Sequence, residues 1–181
     1  WELLPIMKYW RPKQDEYNTI RLNIDIITIC NNKCSYCYSR ADKKMWGLLM
    51  KKDDILHKLE YLSNELSKKG KLFDVIILGG EPTIHPSIKD IIHDISKLSN
   101  TKISITSNGN KAYGGVEESN NVRWAFTWHP SQIKDDEFWF NNILKGKHFF
   151  WEVSIHPMVD LWDDEKTIVS YANRMKNLIS W

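Results

Sequence analysis

Residues Phe73 to Pro82 read FDVIILGGEP, an apolar run that ends on a glycine pair, an acid and a proline. The run is strand-sized, and the β-branched Val75, Ile76 and Ile77 favour an extended backbone. Gly79-Gly80 bounds the strand with a turn signal, and Pro86 suits the first turn of the helix that follows. That helix carries its apolar stripe at Ile88, Ile91, Ile92, Ile95 and Leu98.

The same alternation extends in both directions. Upstream, Ile20 to Ile29 (IRLNIDIITI) reads as a first strand with Ile20, Leu22, Ile24 and Ile26 on one face, ending at Cys30. A polar loop runs to about Lys52. Asp53 or Asp54 then caps a helix with Ile55, Leu56, Leu59, Leu62 and Leu66 at helical spacing, stopped by Gly70. Downstream, Lys102 to Thr106 is a third strand ending in Ser107-Asn108-Gly109, and the polar stretch 108–121 holds a short helix at most. Val122 to Trp128 is a fourth strand, a helix lies within Ile133 to Leu144, and Phe149 to Ile155 is a fifth strand. Glu165 to Ile179 is a last helix. Strands alternating with helices predict a parallel α/β sheet or barrel.

The length of 181 residues suits one domain. A net charge of +2, from 25 basic and 23 acidic residues, argues against a nucleic-acid stripe, and the apolar runs are too short to span a membrane. Of nine tryptophans, Trp124, Trp128, Trp139 and Trp151 cluster in the second half and read as core. The three cysteines all fall within eight positions, a poor disulfide framework and a good metal-ligand set, which points to a reducing, cytoplasmic compartment.

In βα barrels the chemistry collects at the C-terminal ends of the strands. Here the cysteines, Gly79-Gly80, Ser107-Asn108, His129 and His156 all fall at such ends. Cys30, Cys34 and Cys37 form a C-x3-C-x2-C triplet. Thiolates are soft ligands that hold iron–sulfur clusters, and three of them leave one iron of a cubane open for a substrate. A zinc site of three cysteines and a histidine stays open as an alternative at this point.

The triplet at the end of the first strand resembles that of the radical S-adenosylmethionine superfamily. Gly79-Gly80-Glu81-Pro82 on the second strand is similar to that family's GGEP motif, and Ser107-Asn108-Gly109 to its third-strand T-N-G segment. The resemblance implies a partial (β/α)6 TIM-like barrel, incomplete at its C-terminal side with five strands visible. It implies a 4Fe–4S cluster on Cys30, Cys34 and Cys37, with S-adenosylmethionine chelating the fourth iron. Tyr36 would lie near the adenine, Gly79, Gly80, Glu81 and Pro82 near the amino group, and Ser107 and Asn108 beside the cofactor. Thr127 and His129 match by position only, as contacts to the ribose or carboxylate.

The implied activity is reductive cleavage of S-adenosylmethionine to a 5′-deoxyadenosyl radical that abstracts hydrogen from a peptide, nucleoside or small metabolite. The implied partner is a low-potential donor such as flavodoxin or ferredoxin. The resemblance covers about residues 20–157, which divides the chain into an extension (1–19) and a core domain (20–181). Trp1 in place of Met and the lack of a sixth strand before Trp181 lead us to expect a fragment. Two rivals are a glycyl-radical-enzyme activating protein and a non-enzymatic iron–sulfur or zinc module. Three His-Pro dipeptides, at His85, His129 and His156, have no assigned role; a proline holds its predecessor extended.

Overall fold

Alternation of burial along the three central strands governs how the sheet is covered. The computed structural model describes residues 18–37, 47–111, 119–146, 150–158 and 163–179, with backbone alone for 119–120, 145–146, 150–157 and 178–179. Five strands, β1 (Thr19–Asp25), β2 (Leu72–Leu78), β3 (Thr101–Ser107), β4 (Ser119–Trp128) and β5 (Phe150–Pro157), lie in sequence order. Among the described residues four ladders join them, all parallel, and β1 does not pair with β5, so the sheet they form is open.

On β2, β3 and β4, Phe73, Val75, Ile77, Ile103, Ile105, Val122, Trp124 and Phe126 are almost wholly buried. They form one core with Ile55 and Leu59 of α1 (Lys52–Ser67) and with Ile88, Ile91, Ile92 and Ile95 of α2 (Ile88–Ser96). The opposite face carries Leu78, Ser104, Thr106, Ala125 and Thr127, which are only half-buried. Parallel sheets covered on both faces read as continuous apolar runs. β3 and β4 alternate instead, and β2 keeps Ile76 and Leu78 on its half-buried face; among the described residues the helices pack on one face and the other lines a hollow.

Several sequence-based boundaries shift. The first strand leaves the parallel ladder at Asp25, not Ile29. Beyond it, Ile27 bridges Leu49 in antiparallel fashion, the Thr28 N–H donates to Leu48 O and the Met50 N–H to Ile26 O. The helix after the cysteine loop begins at Lys52 with no side-chain cap, so Asp53 and Asp54 act by charge in its first turn. Pro86 stands outside α2, and it is Pro82 that starts a 3₁₀ turn, Pro82–Ile84. Helix α3 (Asp136–Gly146) begins inside the expected 133–144 stretch, where Asp135 caps it, Oδ1 accepting from the Phe138 N–H at 2.8 Å, and runs past Leu144 to Gly146. Helix α4 spans the expected Glu165–Ile179, capped in the same way by Asp164. The expected weak helix in 108–121 falls partly on 112–118, outside the described residues.

One ion pair ties the last two helices to the fourth strand. Arg174 of α4 grips Asp136 of α3 through Nε (2.6 Å) and Nη2 (2.8 Å). Its remaining donors reach Pro130 O (3.0 Å) and Ile133 O (2.9 Å), and its guanidinium lies 5.3 Å from the Trp128 ring centroid. Trp128 Nε1 completes the set by donating to Asp136 Oδ1 at 3.0 Å. A bidentate, partly buried pair of this kind is far stronger than an exposed one. Arg174→Ala should therefore lower stability in urea by about 2 kcal/mol, whereas Lys68→Ala, which breaks the exposed Glu65 pair, should leave the midpoint unchanged. Equal effects of the two substitutions would contradict this account.

Candidate functional site

The glycine pair is required by a close approach of two backbones. Gly80 N–H donates to Ile27 O (2.7 Å) and Glu81 N–H to Ile29 O (2.9 Å), so the end of β2 runs against the three residues that lead into Cys30. A Cβ on Gly79, whose φ is +137°, would land on the Ile27 carbonyl oxygen, and one on Gly80 would land on that of Ile29. The pairing places Cys30 directly beside Glu81.

Glu81 is 1% exposed, and its carboxylate is surrounded by donors. Oε1 accepts from the Thr83 N–H (3.0 Å), Thr83 Oγ1 (2.6 Å) and Ser107 Oγ (2.8 Å), while Oε2 accepts from the Asn108 N–H (2.8 Å). The buried charge is stabilised by these bonds. It joins the end of β2 to the end of β3.

The three cysteines are free thiols; Cys34 is buried, and Cys30 and Cys37 are half-buried. Burial pushes the Cys30 thiol above its ordinary range, opposed by the Asn32 N–H and reinforced by the Glu81 carboxylate and the two other cysteines. Among the described residues, no three His, Cys, Asp or Glu side chains converge on a point that a single ion could occupy.

Across the hollow, Tyr36 and His129 stack with ring centroids 5.9 Å apart and planes inclined by 15°. Burial lowers His129 to about 4, so its ring is neutral near pH 7. Its Nδ1 shares a hydrogen bond with the Tyr36 hydroxyl at 2.9 Å and lies 3.6 Å from Cys34 Sγ. The Tyr36 hydroxyl is pushed upward, chiefly by burial, and stays protonated.

A cavity of about 280 Å³ unites these groups. Of the sequence-predicted site residues, Cys30, Cys34, Tyr36, Cys37, Gly79, Gly80, Glu81, Ser107, Asn108, Thr127 and His129 line it, and Pro82 does not. Pro82 is buried in the 3₁₀ turn behind Glu81. The three histidines separate: His129 faces the cavity, whereas His85, 2% exposed, has both nitrogens occupied, Nε2 donating to Met50 O (2.9 Å) and Nδ1 accepting from the Ser87 N–H (3.1 Å). The side chain of His156 lies outside the described part.

A profile described as Radical SAM superfamily matches residues 24–118, from β1 to just short of β4. The chain belongs to the radical SAM superfamily. Its members are enzymes that use a 4Fe–4S cluster and S-adenosylmethionine. Among curated relatives, a probable GTP 3′,8-cyclase of Saccharolobus islandicus is 27% identical over 104 residues, which is 58% of this chain and 30% of that protein. The GTP 3′,8-cyclase of Microcystis aeruginosa is 32% identical over 92 residues, 49% of this chain and 27% of the relative. The matches thus span about a third or less of those relatives' length. Among solved structures, Streptococcus suis SuiB bound to S-adenosylmethionine superposes with a TM-score of 0.59 at 16% identity, covering 88% of this chain and 36% of SuiB. SuiB bound to its precursor peptide SuiA gives 0.58 at 18% identity, covering 88% and 37%. This likeness shows a shared radical SAM fold.

Sequence reasoning missed the residues that hold the site together: Thr83 beneath Glu81, Asn32, Asn110 and Gln132 around the cysteine loop, and Trp139, whose Nε1 donates to Asn108 O at 2.7 Å. The Asn31-Asn32 and Asn108-Gly109-Asn110 runs were the visible signal, since paired carboxamides suit loop-to-loop hydrogen bonding. The Glu81 geometry yields a graded expectation. Glu81→Gln turns an amide NH2 toward one of the converging donors and should cost about 3 kcal/mol in chemical denaturation. Ser107→Ala removes one of four donors and should cost about 1 kcal/mol. Equal and negligible losses would show that the carboxylate does not join the strands.

Proposed function

We propose that residues 20–181 are the radical-generating core domain of a radical SAM enzyme, preceded by an extension over 1–19. The sheet is then the body of a partial (β/α)6 TIM-like barrel, and the edge of β5, which no other described strand joins, is where a sixth strand of such a barrel would pair. One observation carries the reading: a cavity at the strand ends has three cysteines on one wall and the Gly79-Gly80-Glu81 segment beside them.

The residues present suit the cofactors. Three free thiols around one cavity provide three iron ligands and leave a fourth iron open. Thiolates of a cubane each bind a different iron, so they need not converge as ligands of one zinc ion must. Burial holds the Cys30 thiol protonated, so it would release its proton on binding iron. Asn32, 7% exposed and lining the cavity, has a buried Nδ2 with no hydrogen-bond partner among the described residues. An orphaned donor on a residue that lines the cavity accords with an electron-rich group nearby.

When bound, the cluster and S-adenosylmethionine would supply reductive carbon–sulfur cleavage and a 5′-deoxyadenosyl radical that takes hydrogen from a substrate. In this reading Cys30, Cys34 and Cys37 hold the cluster. The backbone at Gly79 and Gly80 lies open to the cofactor's amino group, and Glu81 adds the negative charge that an ammonium favours. Pro82 shapes the turn behind Glu81. Ser107 and Asn108 close the β3 side, Thr127 and His129 the β4 side, and Tyr36 offers an aromatic face toward the adenine. Neutral His129 keeps a positive charge away from the cationic sulfonium, and the stacked Tyr36–His129 pair excludes water from that wall.

The relatives' names point to different substrates, a nucleotide for the cyclases and a peptide for SuiB, so a peptide, nucleoside or small metabolite all remain within the proposal. Flavodoxin or ferredoxin suits as electron donor. No described helix is long and apolar enough to cross a membrane, and a cytoplasmic setting accords with an oxygen-sensitive cluster. The test is anaerobic reconstitution with iron and sulfide, then dithionite and S-adenosylmethionine. The chain should release methionine and 5′-deoxyadenosine, and Cys34→Ala should lose both the cluster and the products. Full cluster content and turnover in Cys34→Ala would refute the assignment.

A further inference from the structure

The cysteine loop is held by carboxamides, and one of them has its orientation fixed by a group that can only donate. The Asn110 N–H donates to Asn108 Oδ1 at 3.0 Å, so the Asn108 NH2 group faces the other way. It donates to Asn31 Oδ1 at 2.7 Å and lies 3.8 Å from Cys30 Sγ. The Asn32 N–H approaches the same sulfur at 3.4 Å. Asn108 is itself immobilised, with its N–H on Glu81 Oε2, its carbonyl under Trp139 Nε1 and only 5% of its surface exposed. Gly109 permits that packing, since a Cβ there would lie 2.6 Å from Trp139 Nε1.

We propose that Asn108 is a positioning residue that tethers the cysteine loop through Asn31 and turns an amide N–H toward Cys30 Sγ, raising the reduction potential of a cluster bound there. The inference rests on the proposed cluster. A cluster becomes more negative on reduction, so a donor aimed at a ligating sulfur stabilises the reduced form more than the oxidised one. The tether and the sulfur contact are separable. Asn31 offers only its Oδ1 to Asn108, and a Cys30 bound to iron has no S–H left to donate to it.

The whole chain and its Asn108→Ala, Asn108→Leu, Asn108→Asp and Asn31→Ala variants should be reconstituted anaerobically and their iron and sulfide measured. The cluster midpoint is then followed by EPR in a potentiometric titration. Asn108→Ala should shift the midpoint to more negative values, Asn108→Asp should shift it further, and Asn31→Ala should keep the wild-type value. A fully loaded Asn108→Ala with the wild-type midpoint would overturn the proposal. Should Asn108→Ala take up less than a full cluster, the near-isosteric and uncharged Asn108→Leu, which lacks the amide N–H, decides in the same titration, a negative shift supporting and an unchanged midpoint overturning it. A wild-type chain that assembles no cluster would instead refute the proposed function.

Discussion

The candidate site depends on a single buried carboxylate. Glu81 sits where β2 ends, and four donors from Thr83, Ser107 and Asn108 close on it. A charge with 1% exposure is costly unless such bonds are made, so the ends of β2 and β3 are locked in one arrangement. The backbone on either side inherits that order. Gly79 and Gly80 press against 27–29 and place Cys30, and Asn108 reaches the cysteine loop from the opposite side.

Around this centre the loop is secured by hydrogen bonds within the protein itself. The 26–28 and 48–50 segments zip its two stems together, Asn110 holds Asn32, and Gln132 of the β4–α3 connection accepts from the Lys33 N–H. That connection is in turn fixed by Arg174 through Pro130, Ile133 and Asp136. Order therefore passes from helix packing to a loop, and from the loop to the thiols. A cofactor site held within narrow geometric limits needs this kind of supporting shell.

The order of strands and helices was legible because each element carries its own period: FDVIIL and KISIT for strands, and the Ile88 to Leu98 stripe for α2. Helix α4 was legible to the residue. What failed to read were the features that depend on distant partners. The strand from Ile20 was expected to continue to Ile29, yet the regular ladder ends at Asp25, and residues 26–29, still hydrogen-bonded to the end of β2, also pair with 48–50 on their other side. The three His-Pro dipeptides look alike in sequence, and only tertiary contacts separate buried His85 from cavity-facing His129. The cysteine spacing and the GGEP segment were plain from the chain. The carboxamide lattice was not, because asparagines that bond across loops leave no periodic trace.

The central claim is that three thiols and a cavity leave one iron of a four-iron cluster open to S-adenosylmethionine. Mössbauer spectroscopy of the chain reconstituted with ⁵⁷Fe, before and after adding S-adenosylmethionine, tests it most directly. The account predicts a cubane in which one iron differs from the other three and alone changes its parameters when S-adenosylmethionine is added. Spectra that show only isolated iron, or a cluster whose four irons are unaffected by S-adenosylmethionine, would contradict it.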